Sequence, residues 1–198
     1  HSSTVSEVVN ALPMKISKNI EVVQMLGGSY SLTFKGLDKT KELSDKFDVT
    51  PHILYAPLFV DDKKVREAIT SDSSIKNTFS HMEKINISLV SIGPFYPKGS
   101  STIYKSGALS KKEIDELEEA GVVGDVFGHF FSKKGDFLRT SIEDRLVTIP
   151  IEYIKDIEYR IGAAGTLKKL DAIIAAIQGG LVNILATDEK VAGRLLKA

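Results

Sequence analysis

The chain contains no cysteine and no tryptophan, and only four histidines among its 198 residues. Without thiols it can form neither a disulfide nor a thiolate metal centre, which fits the reducing cytoplasm. No His-x-x-x-His or comparable spacing occurs, so neither a metal site nor a resident cofactor is expected. Net charge is absent as well: 26 Lys plus Arg balance 26 Asp plus Glu. No overall field therefore draws the chain to nucleic acid or to an anionic membrane. Apolar runs such as 172–177 fall well short of the roughly 20 residues that a membrane helix needs. The polar first ten residues do not resemble a signal peptide. With no Walker A loop and no Gly-x-Ser-x-Gly elbow, P-loop nucleotide hydrolysis and serine-ester chemistry lack support. Repeats, low-complexity tracts and heptads are missing too.

What is present is an ordinary globular composition, 42% hydrophobic and 26% charged, with enough chain to bury a core without staples. One unit over residues 1–198 is expected. Short β-branched runs at 20–25, 53–55, 87–92, 159–164 and 182–187 read as strands. Between them, apolar residues at three- and four-residue spacing mark helices over 38–47, 61–70, 74–84 and 167–178. Ser110-x-x-Glu113 forms a capping box for a helix over 111–120, and Thr166 and Asp188 are candidate N-caps. Gly179-Gly180 supplies a helix stop. Strand, helix, strand, helix with short links over 159–196 indicates a parallel sheet. A hairpin is expected near 122–140, turning at Gly135 between Phe130-Phe131 and Phe137-Leu138. The irregular stretch 93–107 is a candidate lid. The abrupt opening His1-Ser2-Ser3-Thr4, directly before an amphipathic segment, suggests that a strand or domain precedes it.

In an open parallel sheet the ligand crevice lies at the carboxyl ends of the strands. The residues to inspect are Gly27-Gly28-Ser29, Ala56-Pro57, Gly93, Gly165-Thr166 and Asp188, where glycines allow a backbone to approach a ligand closely. Ser2, Ser3 and Thr4 sit at a helix N-terminus, with Glu7 completing a capping-box pattern. Such an end either caps itself or favours an anion. The segment 121–145, GVVGDVFGHFFSKKGDFLRTSIEDR, gathers Asp125, His129, Arg139, Asp144 and Arg145. Arg145 and Lys168 are candidate phosphate partners, although Lys168 beside Lys169 and Asp171 also reads as an exposed helix face. Asp125 and Asp144 either take sugar hydroxyls or pair with Arg139 and Arg145. Gln24, at a strand end, can reach a hydroxyl. His129 either serves as an acid or base or satisfies a local hydrogen bond.

Three segments carry a family resemblance: 121–131, Glu143-Asp144-Arg145, and 164–196 with Gly165, Lys168, Gly179-Gly180, Asn183 and Thr187-Asp188 in one register. From about Ser2 to Leu196 the chain resembles the effector-binding domain of SorC-type bacterial transcriptional regulators, a group that includes the central glycolytic gene regulator and the deoxyribonucleoside regulator. The resemblance implies a Rossmann-like α/β fold, a parallel sheet flanked by helices, related to ribose-5-phosphate isomerase and glucosamine-6-phosphate deaminase. It implies a domain that binds a phosphorylated sugar without turning it over and assembles as a homodimer or homotetramer. DNA would be contacted only through an N-terminal helix-turn-helix domain outside this sequence. By carry-over, Ser3 and Thr4 match the family's phosphate loop, Gln24, Gly27, Gly28 and Ser29 its second loop, and Asp144, Arg145 and Lys168 its hydroxyl and phosphate contacts. Ser2 stands where the family often has glycine. Leu26 stands where the deoxyribonucleoside regulator has a Schiff-base lysine, so covalent capture of a sugar is not expected. The competing reading is an isomerase or deaminase on the same scaffold using His129, Asp125 or Glu143.

Overall fold

The computed structural model describes residues 3–14, 19–28 and 35–197. Among them the helices are α1 (Ser3–Ala11), α2 (Lys35–Phe47), α3 (Lys63–Ser71), α4 (Ser73–Met82), α5 (Thr102–Lys105), α6 (Lys111–Glu119), α7 (Ile151–Ile154), α8 (Leu170–Gln178) and α9 (Glu189–Leu195). The strands are β1 (Ile87–Val90), β2 (Gly93–Pro94), β3 (Val122–Val126), β4 (His129–Ser132), β5 (Tyr159–Ala163) and β6 (Ile184–Ala186). β1, β5 and β6 form a parallel sheet in the order β1-β5-β6, whereas β2, β3 and β4 form an antiparallel one. The βαβ unit read from the C-terminal third is therefore β5, α8, β6, with Ile161 opposite Ile184.

Caps follow the sequence closely. Ser110 and Glu113 satisfy each other's backbone N–H groups in a full capping box on α6. Asp188 caps α9 by accepting from Val191 N–H at 3.0 Å. Gly179 and Gly180 end α8, the second in the left-handed region at φ 67°. Thr166 departs from expectation: its side chain makes no capping bond, and a 3-10 turn, Leu167–Lys169, precedes α8.

The expected strands at 20–25 and 53–55 do not form as regular strands. The two segments do keep one parallel register, Val23 opposite His52 and Gly28 opposite Pro57. Between those bridges Ala56 N–H turns back to the Leu54 carbonyl at 2.8 Å, so the ladder is interrupted. Gln24 fills the gap. Its Oε1 accepts from Leu54 N–H at 3.3 Å, and its Nε2 donates to the Leu26 carbonyl at 2.8 Å. A buried amide with both ends satisfied in this way completes the backbone accounting.

On the other side of 25–28, the apolar run 146–149 pairs antiparallel with both this segment and 58–60. Ile149 N–H donates to the Met25 carbonyl at 2.7 Å and Val147 N–H to the Leu58 carbonyl at 2.8 Å. The hairpin is also more folded than expected. β3 and β4 turn at Phe127 and Gly128, whose φ angles of 55° and 84° suit a tight turn with both central residues left-handed. The chain then turns again at Gly135, where Phe131 bridges Phe137 as the sequence suggested.

Two apolar clusters result. One joins Ile92, Val126, Ala164, Ile173 and Val182 between the parallel sheet, α8 and the hairpin. The other joins Phe95, Ile103, Leu117, Phe130 and Ile142 under α5 and α6. The stretch 93–107 belongs to this second cluster and is not a free lid. Phe95 is fully buried with edge contacts to Tyr104 and Phe130, and buried Ser101 caps α5. Its apolar residues demand cover that a lid would withdraw.

Candidate functional site

β5 and β6 stop side by side, Ala163 opposite Ala186, and the chain beyond each builds one edge of a groove. Gly165 permits the convergence: a Cβ there would stand 2.7 Å from an Asp188 carboxylate oxygen and 3.8 Å from the Thr4 hydroxyl. Ser3 and Thr4 open α1, where the positive end of the helix dipole lies. Asp188 binds two segments at once, taking Thr166 N–H at 2.6 Å as well as its own cap bond. Those two backbone donors, Thr166 first, hold its carboxyl below the usual carboxylate range. Thr166 itself adopts φ 77°, ψ 139°, a conformation that a β-branched residue rarely occupies. Such outliers cost about 1–3 kcal/mol and persist where neighbours enforce them, often at ligand sites.

The groove, about 720 Å³, is lined by Thr166, Leu167, Lys168, Asp188, Glu189 and Lys190, a size suited to a small metabolite. Lys168 is exposed here and has no ion-pair or hydrogen-bond partner among the described residues.

One residue further along, the 3-10 turn reaches inward. Lys169 Nζ donates to the Ile92 carbonyl at 2.8 Å, at the end of β1. Next to it, Asp125 stands opposite Gly93 in the β2–β3 register, and a Cβ on Gly93 would come within 2.9 Å of the Asp125 carboxyl carbon. Burial pushes the Asp125 carboxyl up from 3.8 to about 6, opposed in part by the nearby Lys169 cation. Burial likewise lowers Lys169, with Asp125 opposing.

Below the unfolded value of 3.8 Asp125 is protonated in both states and costs nothing; above about 6 it is charged in both and the burial cost is complete. Stability contributed at this position is therefore lost as pH rises from about 4 to about 6. A rise from 3.8 to about 6 bounds the effect near 3 kcal/mol, and loss of the Lys169 partnership offsets part of it. Asp125→Asn is expected to stabilise the fold by about 1–2 kcal/mol at neutral pH and by nothing measurable at pH near 4. Denaturant midpoints at the two pH values check this.

The structure separates the other expected site residues from this groove or gives them different work. Arg145 is not an open phosphate anchor: it donates through Nε to the Val60 carbonyl, through Nη1 to Glu113 and through Nη2 to the Ala108 carbonyl, each at 2.9 Å. Asp144 faces Lys63 at 3.4 Å, not Arg145 or Arg139. Gln24 is committed to the ladder gap described above. Gly27, Gly28 and Pro57 meet one another, since a Cβ on Gly27 would lie 2.5 Å from Pro57 backbone, and Gly28 exchanges backbone bonds with Ala56 and Leu58. Ser2 and Ser29 lie outside the described residues.

His129 has both ring nitrogens engaged. Nδ1 meets Glu143 at 3.0 Å and Nε2 meets the Ile149 carbonyl at 2.8 Å, in a buried position. Both ring nitrogens are thus occupied by groups of 141–149, and these contacts tie β4 to that segment. That is the local hydrogen-bonding role, with neither group presented to a substrate.

Thr4 thus lies near Gly165, Lys168 lines the groove that begins at Thr166, Gly93 meets Asp125, and the turn from Thr166 to Lys169 links these positions. The inward reach of Lys169 and the bond from Thr166 N–H to Asp188, beyond its expected cap, were not foreseen. Adjacent lysines at a helix start hide their difference in sequence, because the 3-10 turn sends one outward and the next inward.

The family model described as "Putative sugar-binding domain" matches residues 2–197. The chain is 26% identical over 197 residues to the erythritol catabolism regulatory protein EryD of Brucella abortus, covering 99% of this chain and 61% of that protein. It is 31% identical over 148 residues to the transcriptional regulator LsrR of Escherichia coli, covering 74% of this chain and 47% of LsrR. The chain therefore spans about half to three fifths of the curated relatives it matches. Among solved structures, a probable sor operon regulator from Shigella flexneri superposes with a TM-score of 0.87 at 25% identity, covering 98% of this chain and 77% of the other. By its full-length family match and by its fold, this chain belongs to the sugar-binding domain family of SorC-type transcriptional regulators.

Proposed function

We propose that the domain senses a phosphorylated sugar in the cytoplasm and passes its bound state to a DNA-binding domain elsewhere in a longer regulator. The observation that carries this reading is the groove lined by Thr166 and unpaired Lys168, with Thr4 at the start of α1 close to the adjoining Gly165. A helix N-terminus and a solvated ammonium are the groups that a phosphate monoester selects. Asp125, opposite Gly93 and beside Lys169, is the acceptor suited to sugar hydroxyls. Assembly as a homodimer or homotetramer belongs to the same reading. An enzyme is not supported, because His129 and Glu143 are bound to each other and relatives such as EryD and LsrR are regulators.

Titration of the domain with sugar phosphates and with the parent sugars tests the proposal. Binding should raise the melting temperature only for phosphorylated ligands, with no product formed. Lys168→Ala should weaken that binding roughly ten- to a hundredfold, the range for one charge-assisted hydrogen bond, with the fold intact because the side chain is exposed. Equal binding by the variant would remove the phosphate assignment, and turnover would restore the enzyme reading.

A further inference from the structure

Glu21, His52 and His81 are far apart in sequence, yet each offers one ligand atom, and these atoms all lie within 4.8 Å of one another. Glu21 precedes the first segment of the interrupted ladder, His52 pairs with Val23 at the start of that ladder, and His81 sits in the last turn of α4. The cluster therefore occupies the end opposite Gly28 and Pro57 along these parallel segments. His81 Nδ1 meets a Glu21 carboxylate oxygen at 2.8 Å, and His52 Nε2 lies 3.9 Å from the same oxygen. The two rings stack with centroids 3.6 Å apart and planes inclined by 21°.

We propose that these three residues form a binding site for one zinc-class divalent cation, held by His52 Nε2, His81 Nδ1 and a Glu21 carboxylate oxygen. Metal–ligand bonds of about 2.0–2.2 Å at tetrahedral angles place neighbouring ligand atoms roughly 3.4 Å apart. The separations of 2.8 and 3.9 Å bracket that value, so one carboxylate oxygen already stands near ligand spacing from both rings. Two imidazoles and one carboxylate are borderline donors that suit zinc, cobalt or nickel better than calcium or magnesium.

Glu21 is 62% exposed, which leaves water access to the remaining coordination position. A cation bound there displaces the His81–Glu21 hydrogen bond. It also asks the rings to swing out of their stack until their lone pairs converge. Lys84, a cation near Glu21, opposes the bound charge. Because the ligands come from the ladder start, its partner segment and α4, a bound ion would clamp all three.

Titration of the whole domain with Zn²⁺ alone, followed by calorimetry, and with Co²⁺, followed by visible absorption, tests the site. One ion per chain is expected, with an absorption band from a low-coordinate cobalt site. Each of Glu21→Gln, His52→Ala and His81→Ala should weaken binding about tenfold or more, at least the cost seen for disturbing a ligand's support. Glu21→Gln keeps the test open if a histidine variant misfolds, since Glu21 is largely exposed. No binding by the wild-type domain, unchanged binding in the variants, or a loss confined to one of the three overturns the proposal.

Discussion

Arg145→Ala is expected to remove about 3–5 kcal/mol of folding stability, a large share of the roughly 5–15 kcal/mol that natural domains possess. The guanidinium closes three gaps at once: the Val60 carbonyl, the Ala108 carbonyl and the Glu113 carboxylate. Glu113 is only 9% exposed, so deletion of its partner leaves a carboxylate that is both desolvated and unpaired. That carboxylate also completes the capping box on α6, accepting from Ser110 N–H and hydroxyl at 2.7 Å. The damage should therefore spread from 145 into α6. Chemical denaturation checks the magnitude. A midpoint change worth less than about 0.5 kcal/mol, the usual surface value, would mean that Arg145 is free to meet a ligand after all.

Gly135→Ala should cost about 2–5 kcal/mol, combining a left-handed backbone penalty of about 1–2 with overpacking of about 1–3. Gly135 has φ 80°, and a Cβ there would strike the Ala175 carbonyl and stand 2.5 Å from Gly179 Cα. The contact is backbone against backbone, so no side chain can swing aside. Gly179 provides the internal control. Its φ of −78° suits any residue, and a Cβ on it would approach Gly135 Cα to 2.5 Å. Gly179→Ala should therefore show the steric part alone. The double variant should lose less than the sum, because one separation of hairpin from α8 relieves both clashes. Near-neutral behaviour of Gly135→Ala would show that the second turn of the hairpin stands clear of α8.

Sequence reading succeeded where the responsible physics is local. Ser110-x-x-Glu113, Asp188 and Gly179-Gly180 announce helix ends because a cap is made by neighbours three residues away. The C-terminal βαβ unit was legible for the same reason, since periodicity and short links determine it. Segments 20–25 and 53–55 looked equally strand-like, yet whether a ladder closes depends on a partner, and here Gln24 replaces part of it with a side chain. Arg145 misled for a related reason. A cation after a polar loop looks available until distant carbonyls from 60 and 108 arrive to occupy it. Within the candidate groove, the glycine at 165 and the lysine at 168 were visible from residue type. The inward turn of Lys169 was not, and neither was the meeting of Glu21, His52 and His81, whose spacing matches no linear motif.

The pairing of 146–149 with two earlier segments has a consequence for how the chain acquires its shape. Thr148 bonds the Met25 carbonyl across 123 residues of sequence, and Gly27 N–H finds its acceptor on Val147. Closing so long a loop carries an entropic penalty that local contacts cannot offset in advance. During synthesis segment 25–28 must therefore wait, this edge without its partner, until residues 146–149 have emerged.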